Sequence, residues 1–282
     1  APDPLLSPAL FRHPVFASAV AVALLVSVTM FSGVMFMPLY TEGVLGISAE
    51  GSGIVMTPMM LSFIAGSALS GQILSRTGRY KVQAVVGALV MVAGTVLLRH
   101  MGVGTGVSEV IRNVVTLGVG MGSLLPLVNV AVQNAFPYRM LGAVNATQQF
   151  VRSLGGVLAA PIFGTVLTRG FERSLQARLT GPLAGLAGRL QVDPQVLITP
   201  ESQARLWDAF GGPGAQGQQM AEAVVTAVRH ALADGMGRVF TLGVALAVAA
   251  LLATIWLKEI PLKRDEFYSD AGQPAPREGR AP

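Results

Sequence analysis

Long uncharged apolar runs separated by short polar breaks set the rhythm of this chain. They extend from about Pro14 to Leu39, Gly53 to Leu74, Val82 to Leu98, Val110 to Val132, Ala143 to Leu167 and Val239 to Leu257. About 20 residues at 1.5 Å each cover the ~30 Å of bilayer hydrocarbon, so each run predicts a membrane-crossing helix. One such run also suits a buried helix of a soluble protein; six in one chain argue against it. The break between the fifth and sixth runs, Thr168 to Arg238, has a different pattern. Phe171, Leu175 and Leu179 recur at four-residue spacing and predict a short amphipathic helix. Thr199-Pro200-Glu201 predicts the start of another, carrying Leu206, Trp207 and Phe210, with threonine as cap and proline in the first turn. Gly211-Gly212-Pro213-Gly214 ends it, and Met220 to Ala233 reads as a helix feeding the last run.

Composition agrees with the pattern. Only 12% of the 282 residues are charged against 52% hydrophobic, about half the charge of an average soluble chain, so most of the surface is expected to face lipid. The absence of cysteine excludes disulfides, thiolate metal sites and a cysteine nucleophile. The net charge of +5 comes from scattered basic residues, which argues against nucleic acid as a partner. In the short breaks, Arg12, Arg76, Arg79, Lys81, Arg139, Lys258, Lys263 and Arg264 fall on one side and only Arg99 on the other. That asymmetry predicts a cytoplasmic location for both termini of the segment. The long break then lies on the non-cytoplasmic face. The excess of arginine over lysine, 17 to 3, hints at a GC-rich bacterium and hence its cytoplasmic membrane.

Helices in lipid approach closely where side chains are small. Gly118 and Gly122 share a stripe of the fourth run, Gly156, Ala160 and Gly164 one of the fifth, and Ser62, Gly66 and Ser70 one of the second. The triplet Gly102, Gly104 and Gly106 lacks a following lysine and a preceding strand, so it does not read as a phosphate loop.

The break Gly71-Gln72-Ile73-Leu74-Ser75-Arg76-Thr77-Gly78-Arg79-Tyr80-Lys81 resembles the cytoplasmic signature of the major facilitator superfamily, with Gly71, Arg76, Gly78, Arg79 and Lys81 carrying the likeness. Ser75 stands where that pattern carries an aspartate. Leu10-Phe11-Arg12, Met37-Pro38-Leu39-Tyr40, Val44-Leu45-Gly46, Arg112 with Gly118, Gly120 and Gly122, and Gln149-Phe150-Val151-Arg152-Ser153-Leu154-Gly155-Gly156 resemble its fourteen-span drug:proton antiporter branch. The resemblance implies an all-α membrane fold, six helices forming one half-bundle, with a long extracytoplasmic insertion between spans five and six. Residues 1–13 would link it to an upstream amino-terminal half, residues 14–167 hold spans one to five, 168–238 the insertion, 239–257 the sixth span and 258–282 a cytoplasmic tail. It also implies proton-driven export of drugs or small hydrophobic metabolites, without a cofactor, the absent half being the main protein partner.

Ionisable groups inside spans are costly and point to function. Glu109 and Arg112 sit three apart at the start of the fourth run and are spaced to pair on one face; Arg112 is a candidate for the outer mouth of a cavity. Asn145, Gln149, Arg152 and Gly156 fall within about 60° of one another on a helix, with Gln148 at the edge. A central arginine facing lipid costs at least ~2.5 kcal/mol, so this stripe is expected to turn away from it. Asn113, Thr116 and Asn129, with Phe31, Met35, Phe36, Met59 and Met60, complete the candidate lining, since methionine and aromatic side chains suit varied apolar solutes. His13, His100 and His230 lie outside the spans or at their edges, which leaves no intramembrane serine–histidine pair, no histidine pair for zinc and no enzyme reading. The alternative to a transporter is a six-span oligomeric pore or scaffold.

Overall fold

A computed structural model of the chain describes residues 8–178 and 215–260. The chain enters through a single turn, α1 (Pro8–Phe11), and then α2 (Pro14–Gly43), α3 (Ala49–Thr77), α4 (Tyr80–Arg99) and α5 (Val107–Ala135) follow. A 3-10 turn, Tyr138–Met140, leads into α6 (Leu141–Arg178), and α7 (Ala215–Ile255) completes the bundle. Among the described residues six helices are long and apolar enough to cross a membrane. The fold is therefore the all-α bundle of six membrane-length helices that the apolar runs predict.

Local signals fix the helix ends. Pro14 supplies the first turn of α2, where its missing N–H costs nothing. Ser48 caps α3 by accepting from the Gly51 amide at 3.3 Å, and α3 stops at Gly78, whose φ of 67° closes the helix in the left-handed region. Inside lipid no water is at hand to satisfy hydroxyls, so they bond back onto their own helix. Thr95 donates to Met91 at 3.1 Å, Thr147 to Ala143 at 2.8 Å and Thr254 to Ala250 at 2.7 Å.

The bundle is built around α5. It is the most enclosed helix, with 61% of its apolar window buried, against 22% for α6. Its glycines bring two neighbours to backbone contact. A Cβ on Gly122 would stand 2.8 Å from the Phe63 carbonyl carbon of α3, and one on Gly66 2.7 Å from the Val119 oxygen. Gly118 lies against Ser62 and Met59 of α3, and Gly120 against Met91 of α4. On its other side the bundle closes with α2 packed on α6 and α7, and α7 on α4. By contrast α5 and α6 scarcely meet.

Glycine contacts on α6 differ from the stripe read in the sequence. Gly156 and Gly164 have nothing within 4 Å of the position a Cβ would take. Contact comes one residue earlier, through Gly155, where a Cβ would stand 2.9 Å from Leu24, and through fully buried Ala159 and Phe163. One residue is a 100° rotation, so the helix presents its Gly155 face to α2 and turns Gly156 with the polar stripe. Gly71 of the signature likewise faces open space, and in this break only Gly78 shapes the backbone.

Two tyrosines tie the ends of the bundle. Fully buried Tyr40 donates to the Gly102 carbonyl at 2.8 Å in the α4–α5 loop. At the opposite end fully buried Tyr80 donates to the Lys258 carbonyl at 2.7 Å and accepts from the Ile260 amide at 2.8 Å.

The last two helices outrun any bilayer. The 38 residues of α6 and 41 of α7 span about 57 and 62 Å, against ~30 Å of hydrocarbon. Twenty residues back from Ile255 reach Met236, so the earlier part of α7 projects beyond the apolar layer together with the end of α6. Phe171 and Leu175 are buried on this continuous extension of α6 rather than on a separate short helix. Leu179 and the helix expected from Thr199 lie outside the described residues, and residues from Met220 onward belong to α7.

Candidate functional site

Where α5 and α6 diverge, near the end that carries the basic loops, a cavity of about 150 Å³ opens between them. It is lined by Asn129 and Gln133 of α5 and by Asn145, Gln148, Gln149 and Arg152 of α6, that is, five carboxamides and one guanidinium. The helical period explains the assembly: Asn129 and Gln133 are one turn apart on α5, and the α6 residues follow steps of three and four. Gln148 is buried and donates through Nε2 to Asn129 Oδ1 at 2.9 Å, which fixes the floor of the cavity. Arg152 stands about 17 Å along α6 from Leu141, deep in the span.

The charge balance of this cavity is one-sided. No aspartate or glutamate occurs from residue 110 to 171, which covers nearly all of α5 and the spanning part of α6. Among the described residues the two ion pairs are Arg112 with Glu109 and Arg178 with Asp234, and Arg152 belongs to neither. The cavity therefore holds an uncompensated positive charge ringed by groups that donate and accept equally well.

Asn145, Gln148, Gln149 and Arg152 come together here, joined by Asn129 from the wider candidate lining. Phe31, Met35, Arg112 and Asn113 do not. Phe31 is half-buried against the core, and Met35 is exposed without joining this cavity. Arg112 is exposed, 3.4 Å from Glu109 and 3.2 Å from Asn113 Oδ1. Asn113 faces inward instead: it is 1% exposed and donates to the Leu97 carbonyl of α4 at 3.3 Å. Its place on the stripe with Val110, Val114 and Leu117, all fully buried, turns it to the helix neighbour rather than to a path. Gln133 escaped the sequence reading; its four-residue spacing from Asn129 is the signal that marks it. Arg76 and Arg79 of the signature are exposed, and Gln83 donates to Thr77 Oγ1 at 2.9 Å across the turn.

A larger, shallow opening of about 620 Å³ lies on the projecting α6–α7 pair, lined by Arg178, Glu222, Ala223, Thr226, Ala227 and His230. Beside it Asp234 accepts from Ser174 and, at 2.9 Å, from Arg178. Desolvation pushes this carboxyl upward, but the Ser174 hydroxyl and the Arg178 guanidinium outweigh it and hold the group below its usual range. Three or more His, Asp or Glu side chains do not converge anywhere among the described residues.

Known proteins share both the sequence and the architecture. The chain is 29% identical over 277 residues to the multidrug transporter protein MdtP of Bacillus subtilis, covering 93% of this chain and 49% of that protein. It is also 29% identical over 211 residues to a tetracycline resistance determinant of Streptomyces rimosus, covering 73% and 58%. The chain thus spans about half the length of the curated relatives it matches. A crystal structure of a bacterial homologue of the human lysosomal transporter Spinster, inward-facing and occupied, superposes with a TM-score of 0.56 over 86% of this chain and 50% of that one. At 14% identity that likeness speaks for the fold alone. The sequence pattern of the Major Facilitator Superfamily matches residues 1–160, more than half of the chain, and the six-helix bundle is of the same kind: this chain is a member of the Major Facilitator Superfamily.

Proposed function

We propose that the chain is the carboxy-terminal part of a secondary active transporter that exports drugs or small hydrophobic metabolites by alternating access. The observation that carries this reading is the cavity between α5 and α6, lined wholly by carboxamides and a guanidinium, in a bundle whose buried core is mainly apolar. Amides and a guanidinium are retained deep in a span only where they meet a solute, water or a partner helix. Transporters of this architecture bind at the interface of two bundles that rock about a central site. The sparsely covered α3 and α6, 28% and 22% buried, are the faces offered to an amino-terminal bundle. The names of the relatives from Bacillus and Streptomyces support drug export.

Under this reading a coupling proton needs a carboxylate elsewhere, because the apolar runs of this chain contain none. The proposed orientation sets the basic breaks, including Arg76, Arg79 and Lys81, in the cytoplasm of a bacterium, and the α6–α7 projection outside. The cysteine-free sequence makes the orientation testable: in a cysteine-free background, Gly104→Cys is expected to react with an impermeant maleimide in intact cells and Arg79→Cys only after lysis. The reverse pattern would invert the topology. For the activity, the complete transporter reconstituted in liposomes is expected to move a fluorescent dye when a proton gradient is imposed. A complete protein that moves no member of a panel of lipophilic dyes would remove the exporter reading and favour a scaffold.

A further inference from the structure

We propose that the α5–α6 cavity is an anion subsite, and that Arg152 selects solutes bearing a carboxylate or a comparable oxyanion. The inference rests on the exporter reading but goes beyond it, because nothing in that reading specifies the charge of the cargo.

Three observations carry it. The first is the missing counter-charge: with no acid from residue 110 to 171, neither lining helix can neutralise Arg152 within its span, and none of the other apolar runs holds an acid. The second is the lining. Every residue around the cavity is a carboxamide or the guanidinium itself, so an entering carboxylate meets N–H donors on several sides, and the guanidinium fork can bind both of its oxygens. Gln148 already spends one amide hydrogen on Asn129, which orients the pair and leaves the rest of its donor capacity free. The third is space. The cavity, at about 150 Å³, is smaller than the 300–1,000 Å³ that encloses a drug-sized ligand, so it fits a polar head rather than a whole molecule. Gly156, one turn beyond Arg152 on the same stripe, has nothing within 4 Å of its Cβ position and leaves room for the remainder. A lipophilic cation gains nothing here, because it would bring a like charge to Arg152.

The test compares two dyes that share a xanthene ring system, anionic carboxyfluorescein and a cationic rhodamine, on the complete transporter in nanodiscs. Fluorescence anisotropy reads binding. Arg152→Gln is expected to weaken carboxyfluorescein binding about tenfold or more, as the loss of a charge-assisted hydrogen bond does, and to leave rhodamine binding within about threefold. Arg152→Lys, which keeps charge without the fork, is expected to fall between. Equal losses for both dyes would overturn the proposal, pointing to a structural arginine or one paired with a carboxylate of the other half. No binding of carboxyfluorescein by the unmodified protein, or no change in Arg152→Gln, would overturn it too. Arg152-dependent binding with no transport in liposomes of either dye or of any member of the lipophilic panel would leave the subsite standing and remove the exporter reading instead.

Discussion

Tyr80→Phe deletes one oxygen atom and tests how the end of α7 is held. In the folded chain that hydroxyl makes two bonds, 2.7 Å to the Lys258 carbonyl and 2.8 Å to the Ile260 amide. The ring itself is fully buried, so phenylalanine keeps the packing and loses only the bonds. An ordinary hydrogen bond contributes about 1 kcal/mol net. Two give about 2 kcal/mol, and the exposed Lys258 and Glu259 beside them let water recover part of that loss, so we expect about 1–2 kcal/mol. The Asn134 bond to the Ile260 carbonyl at 3.1 Å remains and limits the release. In rate terms the range is about 5- to 30-fold faster exchange of the Ile260 amide in hydrogen–deuterium measurements. Tyr40→Phe serves as the control, since its hydroxyl bonds Gly102 at the opposite end of the bundle; it should free the α4–α5 loop and leave Ile260 unchanged. Unaltered exchange at Ile260 in Tyr80→Phe would refute the reasoning. So would a uniform rise along every helix, because the effect would then be global instability rather than a released tether.

Further expectations concern packing and the projecting helices. Gly122→Ala should cost about 1–3 kcal/mol, seen as a lower thermal midpoint in detergent, because its new methyl meets the Phe63 backbone; Gly71→Ala, in open space, should be neutral or gain up to about 1 kcal/mol. Gly46→Ala should destabilise on two grounds, its φ of 71° and the Arg229 guanidinium 3.3 Å from the Cβ position, and Gly46→Asn, which tolerates this backbone better, should cost less of the first. Asp234 has its carboxyl held below the usual 3.8, so its contribution is present above that value and is lost as pH falls through the depressed one. Protection from amide exchange in the α6–α7 projection, taken relative to the intrinsic exchange rate at each pH, is therefore expected to stay level from pH 7 to 5 and to fall only below about pH 4. With both partners well exposed, Asp234→Asn should cost at most about 1 kcal/mol, and a collapse of the pair at pH 6 would contradict this.

Much of the architecture is legible in the sequence because lipid leaves few options: a long apolar run must close its own backbone bonds and becomes a helix. Facing is harder. Composition says that Asn113 and Arg152 both sit within spans, but only packing decides that Asn113 bonds Leu97 inside the bundle while Arg152 opens onto a cavity. A single-residue shift separates the stripe of Gly156 and Gly164 from the face of Gly155, Ala159 and Phe163 that meets α2, and small residues occupy both. The polar stripe of α6 was readable from its own period, and Asn129 was already among the candidate lining residues, whereas Gln133 joined the site only through the placement of α5 beside it. The ends of the spans hid for another reason: hydropathy fades where α6 and α7 leave the apolar layer, yet both helices continue, burying Phe171, Leu175, Val228 and Leu232 and bonding through Ser174, Arg178 and Asp234.

That projecting pair also has a practical consequence for imaging. Small membrane proteins without a soluble domain are hard to orient in electron micrographs, since the detergent belt or nanodisc dominates each particle. Here two helices pass beyond the apolar layer side by side, clamped where Gly170 and Gly235 let their backbones approach, a Cβ on Gly170 standing 3.0 Å from the Gly235 Cα. Such a feature would act as a built-in fiducial, marking which way up each particle lies during alignment. It is also the natural place to graft a rigid binder epitope, because a helix continued from either partner would carry its direction outward without a flexible joint.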